Sequence, residues 1–151
     1  MSDDEMVVSD LSAEECWDLL RRQEFGRLAY HDGDLVTLVP INYALDDEHR
    51  IIFRTAEGSK LLAITHNVDV AFEVDEIGED AAFSVVLHGS AHELVDREAA
   101  WVDTLPLRPW VPTTKCHVLA IEPHQVSGRR FHLDRPWRHM VPAHPVAPRT
   151  L

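Results

Sequence analysis

Apolar and polar positions alternate with two different periods along this chain, and the changes of period mark its elements. Ser12-Ala13-Glu14-Glu15 forms a capping box with Leu11 and Cys16 placed as a hydrophobic staple, which predicts a helix from Ala13. Trp17, Leu20 and Glu24 follow one face of it, and Gly26 can take the left-handed conformation just past its end. Strand patterning with turn chemistry follows. Residues 27–30, 35–43 and 50–55 are expected strands, joined through Asp32-Gly33 and Asp46-Asp47-Glu48 into an antiparallel meander. A helix beginning near Leu61 can end at Asn67, and residues 68–74 alternate imperfectly, as a strand buried on both faces near one end would.

A turn at Gly78 leads to the longest expected strand, residues 82–95, in which Gly89 marks a bulge. Asp96 is placed to cap a helix running through Trp101, and Pro106 and Pro109 enforce a loop. Residues 116–121 and 126–131 read as two further strands. The expected organisation is a disordered N-terminus over 1–10, one domain over 11–134, and a tail over 135–151. In that tail Pro136, Pro142, Pro145 and Pro148 forbid a continuous helix or a central strand.

Chemistry enters at Arg54-Thr55-Ala56-Glu57-Gly58-Ser59-Lys60, between the strand Ile51-Ile52-Phe53 and the helix opened by Leu61-Leu62. A helix start offers unpaired N–H groups and the positive end of the peptide dipole. Gly58 lets backbone approach a ligand, Ser59 supplies a hydroxyl, Arg54 a planar fork and Lys60 a point charge. These are the parts of a phosphate cradle, although Gly-Ser-Lys also serves simply to cap and solvate a helix.

The order of elements resembles the pyridoxamine 5′-phosphate oxidase-like family of FMN-binding split β-barrels. The resemblance spans Leu11 to about Phe131. It rests on Phe25-Gly26-Arg27-Leu28-Ala29, Val36-Thr37-Leu38-Val39-Pro40-Ile41-Asn42-Tyr43, the cradle, Asn67-Val68-Asp69-Val70-Ala71-Phe72-Glu73, Ser84-Val85-Val86-Leu87-His88-Gly89 and Val126-Ser127-Gly128-Arg129-Arg130. It implies a mainly β, antiparallel split barrel with flanking helices, assembled as a homodimer with flavin mononucleotide (FMN) between subunits. Arg54, Ser59 and Lys60 are then expected to hold the phosphate, and Pro40, Asn42 and Thr55 to flank the flavin ring. Many members carry Trp where this chain has Phe83.

The function implied is an FMN-dependent oxidoreductase acting on a small molecule. A reductase using a deazaflavin coenzyme, or a non-catalytic flavin- or haem-binding protein, fits the same residues. Pyridoxamine phosphate oxidation itself is disfavoured, because no further Arg/His cluster is seen for a second phosphate, though Gly128-Arg129-Arg130 keeps it open.

Composition narrows the partners. The 151 residues suit one domain, which at this size buries about 68–70% of its unfolded surface. A formal net charge of −12 disfavours nucleic acid and anionic membrane, so any phosphate site must be basic locally, against the global field. Two cysteines, Cys16 and Cys116, make neither a disulfide framework nor a zinc site. The start lacks an apolar segment and no run approaches the ~20 apolar residues of a membrane span, so a cytoplasmic location is expected. Among ten histidines, His88 and His92 would lie about 13 Å apart on a strand at ~3.3 Å per residue, too far to share a metal ion.

Overall fold

The computed structural model describes residues 7–56, 63–65, 69–107 and 117–134. Its strands are β1 (Val8–Asp10), β2 (Phe25–Asp32), β3 (Leu35–Asn42), β4 (Ala44–Leu45), β5 (Ile51–Thr55), β6 (Val70–Ile77), β7 (Ala81–Leu94) and β8 (His117–His132). The helices that lie wholly within the described residues are α1 (Ala13–Arg22) and α2 (Asp96–Trp101), the latter followed by a 3-10 turn at Val102–Thr104, and residues 63–65 are helical as well. The strands form one antiparallel sheet in the order β3-β2-β6-β7-β8-β5-β4, with β1 added along β8. This is a curled, mostly antiparallel half-barrel with few helices.

Closure comes from a single run of chain. β3 lies at one end of the sheet and β4 at the other, yet only Tyr43 separates them. The backbone therefore crosses from one sheet edge to the opposite one within three residues. Tyr43 is buried at this crossing, its N–H bonds the Glu24 carbonyl and its phenol donates to the Leu20 carbonyl at 2.6 Å. Burial pushes the phenol far above its ordinary pKa.

Helix α1 plugs the barrel. Ser12 and Glu15 form the reciprocal capping box, and Cys16, Leu19 and Leu20 point into the core. The chain before it is tied down by a bond from the Leu11 N–H to the Gly128 carbonyl, 2.9 Å. Inside, Leu28, Tyr30, Phe53, Phe72, Val85, Leu87, Leu119 and Ile121 pack as one cluster. A second, smaller cluster of Ile52, Leu94, Val102, Val118 and Ala120 lies on the other side of β5 and β8, beneath the 3-10 turn. Residues 118–121 of β8 are thus buried on both faces.

Several expectations are corrected. Helix α1 stops at Arg22 with Gln23 extended, so Gly26 is no C-terminal cap. It lies instead inside β2 beneath the Phe72 ring, where a Cβ would come within 2.4 Å of Cζ. β3 and β5 are not ladder neighbours, because β5 pairs with β8. β6 buries one face only, through Val70, Phe72 and Val74. Asp96 does not cap α2: it is the helix's first residue, at φ +55°, and no side chain caps that end.

The two expected late strands are one strand of 16 residues. β8 tolerates Pro123 because pairing with β5 ends at Ile121 and pairing with β1 begins at Asp10↔Arg129, leaving that flank of the strand without a ladder neighbour between them among the described residues. Residues 8–10, assigned to a disordered N-terminus, form the added strand β1. Residues 1–6, Glu57 to Lys60, Asn67, Cys116 and the tail 135–151 lie outside the described residues.

Two glycines are set by geometry. Gly33 opens the β2–β3 turn at φ +63°, with positive φ at the first central position alone, as a type II′ turn requires. Gly89 sits at the register shift between β7 and β8, where an added Cβ would meet the Glu122 carbonyl oxygen at 2.1 Å. That neighbour is backbone and cannot swing away. Gly89→Ala should therefore cost about 1–3 kcal/mol in urea denaturation, whereas Gly33→Asn, with open space and a residue tolerant of positive φ, should stay within about 1 kcal/mol.

Candidate functional site at the barrel seam

The crossing at Tyr43 creates a seam, and the seam gathers most of the described site residues. β4 pairs with β5 through Ala44↔Ile52 and Leu45↔Ile51. Extending that register by two residues sets Asn42 level with Arg54, both turned to the outside of the barrel because Tyr43 and Phe53 between them point inward. Pro40 follows on the same outward face, exposed. The Asn42 side-chain amide donates to the Glu24 carbonyl at 3.4 Å.

Thr55 is different. Its side chain is buried on the core side, with the hydroxyl donating to the Ala56 carbonyl at 3.4 Å, so it can offer a ligand only backbone. Ser59 and Lys60 lie outside the described residues. Pro40, Asn42 and Arg54 are brought to one face, and Thr55 is not.

Arg54 has a partner that linear order did not suggest. Asp103, in the 3-10 turn after α2, accepts from its Nη2 at 2.5 Å. Val102, fully buried in the second cluster, fixes that turn against β5 and β8. The two ionic residues are 49 positions apart, and nothing in the pattern of residues 96–106 marks Asp103 as belonging with Arg54.

One ladder step from Pro40, Arg27 bridges Glu73 and Asp75 at 3.2 and 3.3 Å. Burial, together with the hydrogen bond and negative charge of Asp75, holds the Glu73 carboxyl above its ordinary range against the pull of Arg27. Farther along the same outer face, a groove of about 620 Å³ runs between β7, β8 and β1, lined by Ser84, His88, Ser127, Arg129 and Asp10. His88 and Arg129 were singled out from sequence, whereas the two serines needed the cross-strand register to join them. Phe83 packs at the edge of the core, with the Arg130 guanidinium 5.9 Å from its ring centroid. Cys16 is an inert thiol, pushed up by burial and by Glu15.

The donor set fits a phosphate-bearing ligand. Asp103 engages one of the five N–H donors of the Arg54 guanidinium, and Arg54 precedes Gly58-Ser59-Lys60 by four residues in the sequence. The outward face beside it combines an exposed proline with an amide, as a flat ring with polar edges requires.

Comparison with known proteins identifies the family. The profile of the pyridoxamine 5′-phosphate oxidase family matches residues 12–130. The chain belongs to this family. A crystal structure from Corynebacterium glutamicum, described as a candidate pyridoxamine 5′-phosphate oxidase, is 36% identical and superposes with a TM-score of 0.77, covering 85% of this chain and 96% of its own. An FAD-binding protein from Mycobacterium smegmatis is also 36% identical, with a TM-score of 0.73 and coverage of 83% and 99%. An FAD-binding protein from Mesorhizobium loti is 30% identical, with a TM-score of 0.67 and coverage of 82% and 97%. The split barrel of this pyridoxamine 5′-phosphate oxidase family member is thus shared with proteins that bind flavin. Among its described residues no helix is long and apolar enough to cross a membrane.

Proposed function

We propose that this chain is a flavin-dependent oxidoreductase acting on a small molecule, with the flavin phosphate at Arg54 and the ring along the outward face of β3. The observation that carries the reading is the position of Arg54 at the seam, level with Asn42, four residues before Gly58-Ser59-Lys60 in the sequence. The FAD-binding neighbours at 36% and 30% identity support it. Bound flavin would supply hydride or electron transfer, which explains why no nucleophile–base pair is needed among the side chains. Arg54, with Ser59 and Lys60, would anchor the phosphate. Pro40 and the aliphatic part of β3 would exclude water from one side of the ring, and Asn42 and the Thr55 backbone would meet its polar edge.

FMN is the smallest flavin that carries a phosphate for this donor set. FAD contains the same moiety, and the two FAD-binding neighbours favour it as a second reading. Mass spectrometry of the co-purified cofactor separates FMN, FAD and a deazaflavin coenzyme.

A homodimer is part of the proposal. Leu35, Val36 and Leu38 on β3 are each about two-thirds or more exposed, and Ile77 likewise. Such an apolar edge strand in a soluble chain needs a cover, and a second copy would place further residues over the flavin. A cytoplasmic location accords with an acidic chain of this kind.

Arg54→Ala and Lys60→Ala should weaken FMN binding roughly 10- to 150-fold, the worth of a charge-assisted hydrogen bond, and leave riboflavin nearly unchanged. Equal losses for both ligands in calorimetric titration would remove the phosphate assignment. Under anaerobic stopped flow, the bound flavin should bleach with a reduced deazaflavin or a partner reductase faster than with nicotinamide, for which the chain has no G-x-G-x-x-G fingerprint. No bleaching by any donor would make the protein a flavin carrier rather than an enzyme. Sedimentation at micromolar concentration should give a dimer that Leu38→Glu dissociates, and a monomer that still binds flavin tightly would overturn the shared site.

A further inference from the structure

The turn between β4 and β5 holds an arginine whose terminal nitrogens are unused. Asp46 is buried, and its Oδ1 accepts the backbone N–H groups of Glu48 and Arg50 at 3.0 and 2.7 Å. Its Oδ2 takes the Arg50 Nε–H at 2.6 Å, and the Arg50 side chain is only 14% exposed. The turn is fixed a second time by His49, which stands at φ +61° with its ring stacked on Trp17 of α1 at 4.5 Å. Among the described residues nothing bonds the two terminal nitrogens of Arg50, so most donors of a planar fork are held in place without acceptors. Groups so little exposed usually have their hydrogen bonds matched. The space that Arg50 borders is a cavity of about 400 Å³ between this turn and α2, within the range of small-molecule sites.

The walls of the cavity decide what fits it. Trp101 supplies an apolar face and is 38% exposed. The rest is charged in both signs, with Arg97 and Glu98 from α2 and Asp47 and Glu48 from the turn. Once Asp46 is set against Arg50, Arg97 stands against three carboxylates, and Glu122 adds negative charge acting on Arg50. A plain anion reaching Arg50 meets that surplus. A plain cation reaching the carboxylates meets two guanidinium groups. A molecule with both charges on neighbouring atoms satisfies both sets, and its apolar body is left for Trp101.

We propose that this cavity binds a free α-amino acid with an aromatic or large apolar side chain. The Arg50 fork takes the carboxylate, Asp47, Glu48 and Glu98 surround the ammonium, and the Trp101 indole carries the side chain. Because Asp46 and the His49–Trp17 stack hold the turn before any ligand arrives, little ordering is left to oppose binding. Arg50 lies four residues before Arg54, about 13 Å along extended chain, with Ile52 of the second cluster between them. The amino-acid site therefore stands apart from the seam and does not rest on the flavin reading.

The test is a binding titration of the full-length protein, followed by ligand-observed NMR. Three probes are compared: L-phenylalanine, phenylpropionate, which lacks its ammonium, and phenethylamine, which lacks its carboxylate. L-Phenylalanine should bind at least about 10-fold more tightly than either, the worth of one charge-assisted hydrogen bond. Arg50→Lys keeps a charge opposite Asp46 but loses the fork, and should weaken L-phenylalanine by about 10-fold or more. Trp101→Ala removes a side chain of α2, a helix with no buried residue, so the melting temperature should barely move while L-phenylalanine weakens about 2- to 12-fold. Phenylpropionate or phenethylamine binding as tightly as L-phenylalanine would overturn the proposal. So would an affinity that Trp101→Ala leaves unchanged, or no binding of L-phenylalanine at millimolar concentration.

Discussion

The fold depends on one crossing, at Tyr43, where the chain leaves one edge of the sheet and joins the opposite edge. An open curled sheet would leave β3 and β4 as two separate edges. Here a single buried phenol, bonded to the Leu20 carbonyl of α1, ties the crossing to the plug helix and so fixes closure and core together. A buried phenol without that acceptor would carry the full penalty of an unsatisfied polar group, about 1–3 kcal/mol. Because side chains alternate along extended backbone, the inward Tyr43 forces Asn42 and Ala44 outward, and the inward Phe53 does the same for Arg54. The site is a by-product of how the barrel is shut.

The long pair β7–β8 does complementary work. Its register shift at Gly89 lets two strands of 14 and 16 residues bend around the core rather than run flat. Past the bend, β8 is sandwiched between two apolar clusters, and the smaller one carries α2 and the 3-10 turn. That second cluster is what delivers Asp103 to Arg54. A peripheral packing unit thus reaches Arg54 without contributing a residue to the main core.

What could be read from the sequence was what is local. Helix α1 was legible because Ser12, Glu15, Leu11 and Cys16 lie within one run of six residues, and the Gly33 turn and the Gly89 bulge because glycine has few other reasons to stand there. The family resemblance carried the fold further than periodicity alone, and the half-barrel agrees with it. Nonlocal facts were hidden. Gly26 looked like a helix cap because the ring that needs its missing Cβ, Phe72, is 46 positions away. The break expected between residues 121 and 126 does not occur, because the tolerance of Pro123 within β8 depends on where β5 and β1 stop. Asp103 carried no signal, since only the seating of Val102 brings it to Arg54. Thr55 was readable as a strand residue, but its inward side chain follows from a parity that only the closed barrel sets.

The exposed β3 edge bears on the life of the chain before it is assembled. Leu35, Val36 and Leu38 stand on the outermost strand of the sheet, on that flank without a ladder neighbour among the described residues. Such a strand is a template for any extended segment with free backbone groups. Under the proposed homodimer, the race during synthesis would be between capture by a second copy and capture by an unrelated strand, and the first would be second order in concentration. Abundance would then respond to expression level more steeply than folding stability alone dictates, with sparse chains lost to chaperones and proteases before they are covered.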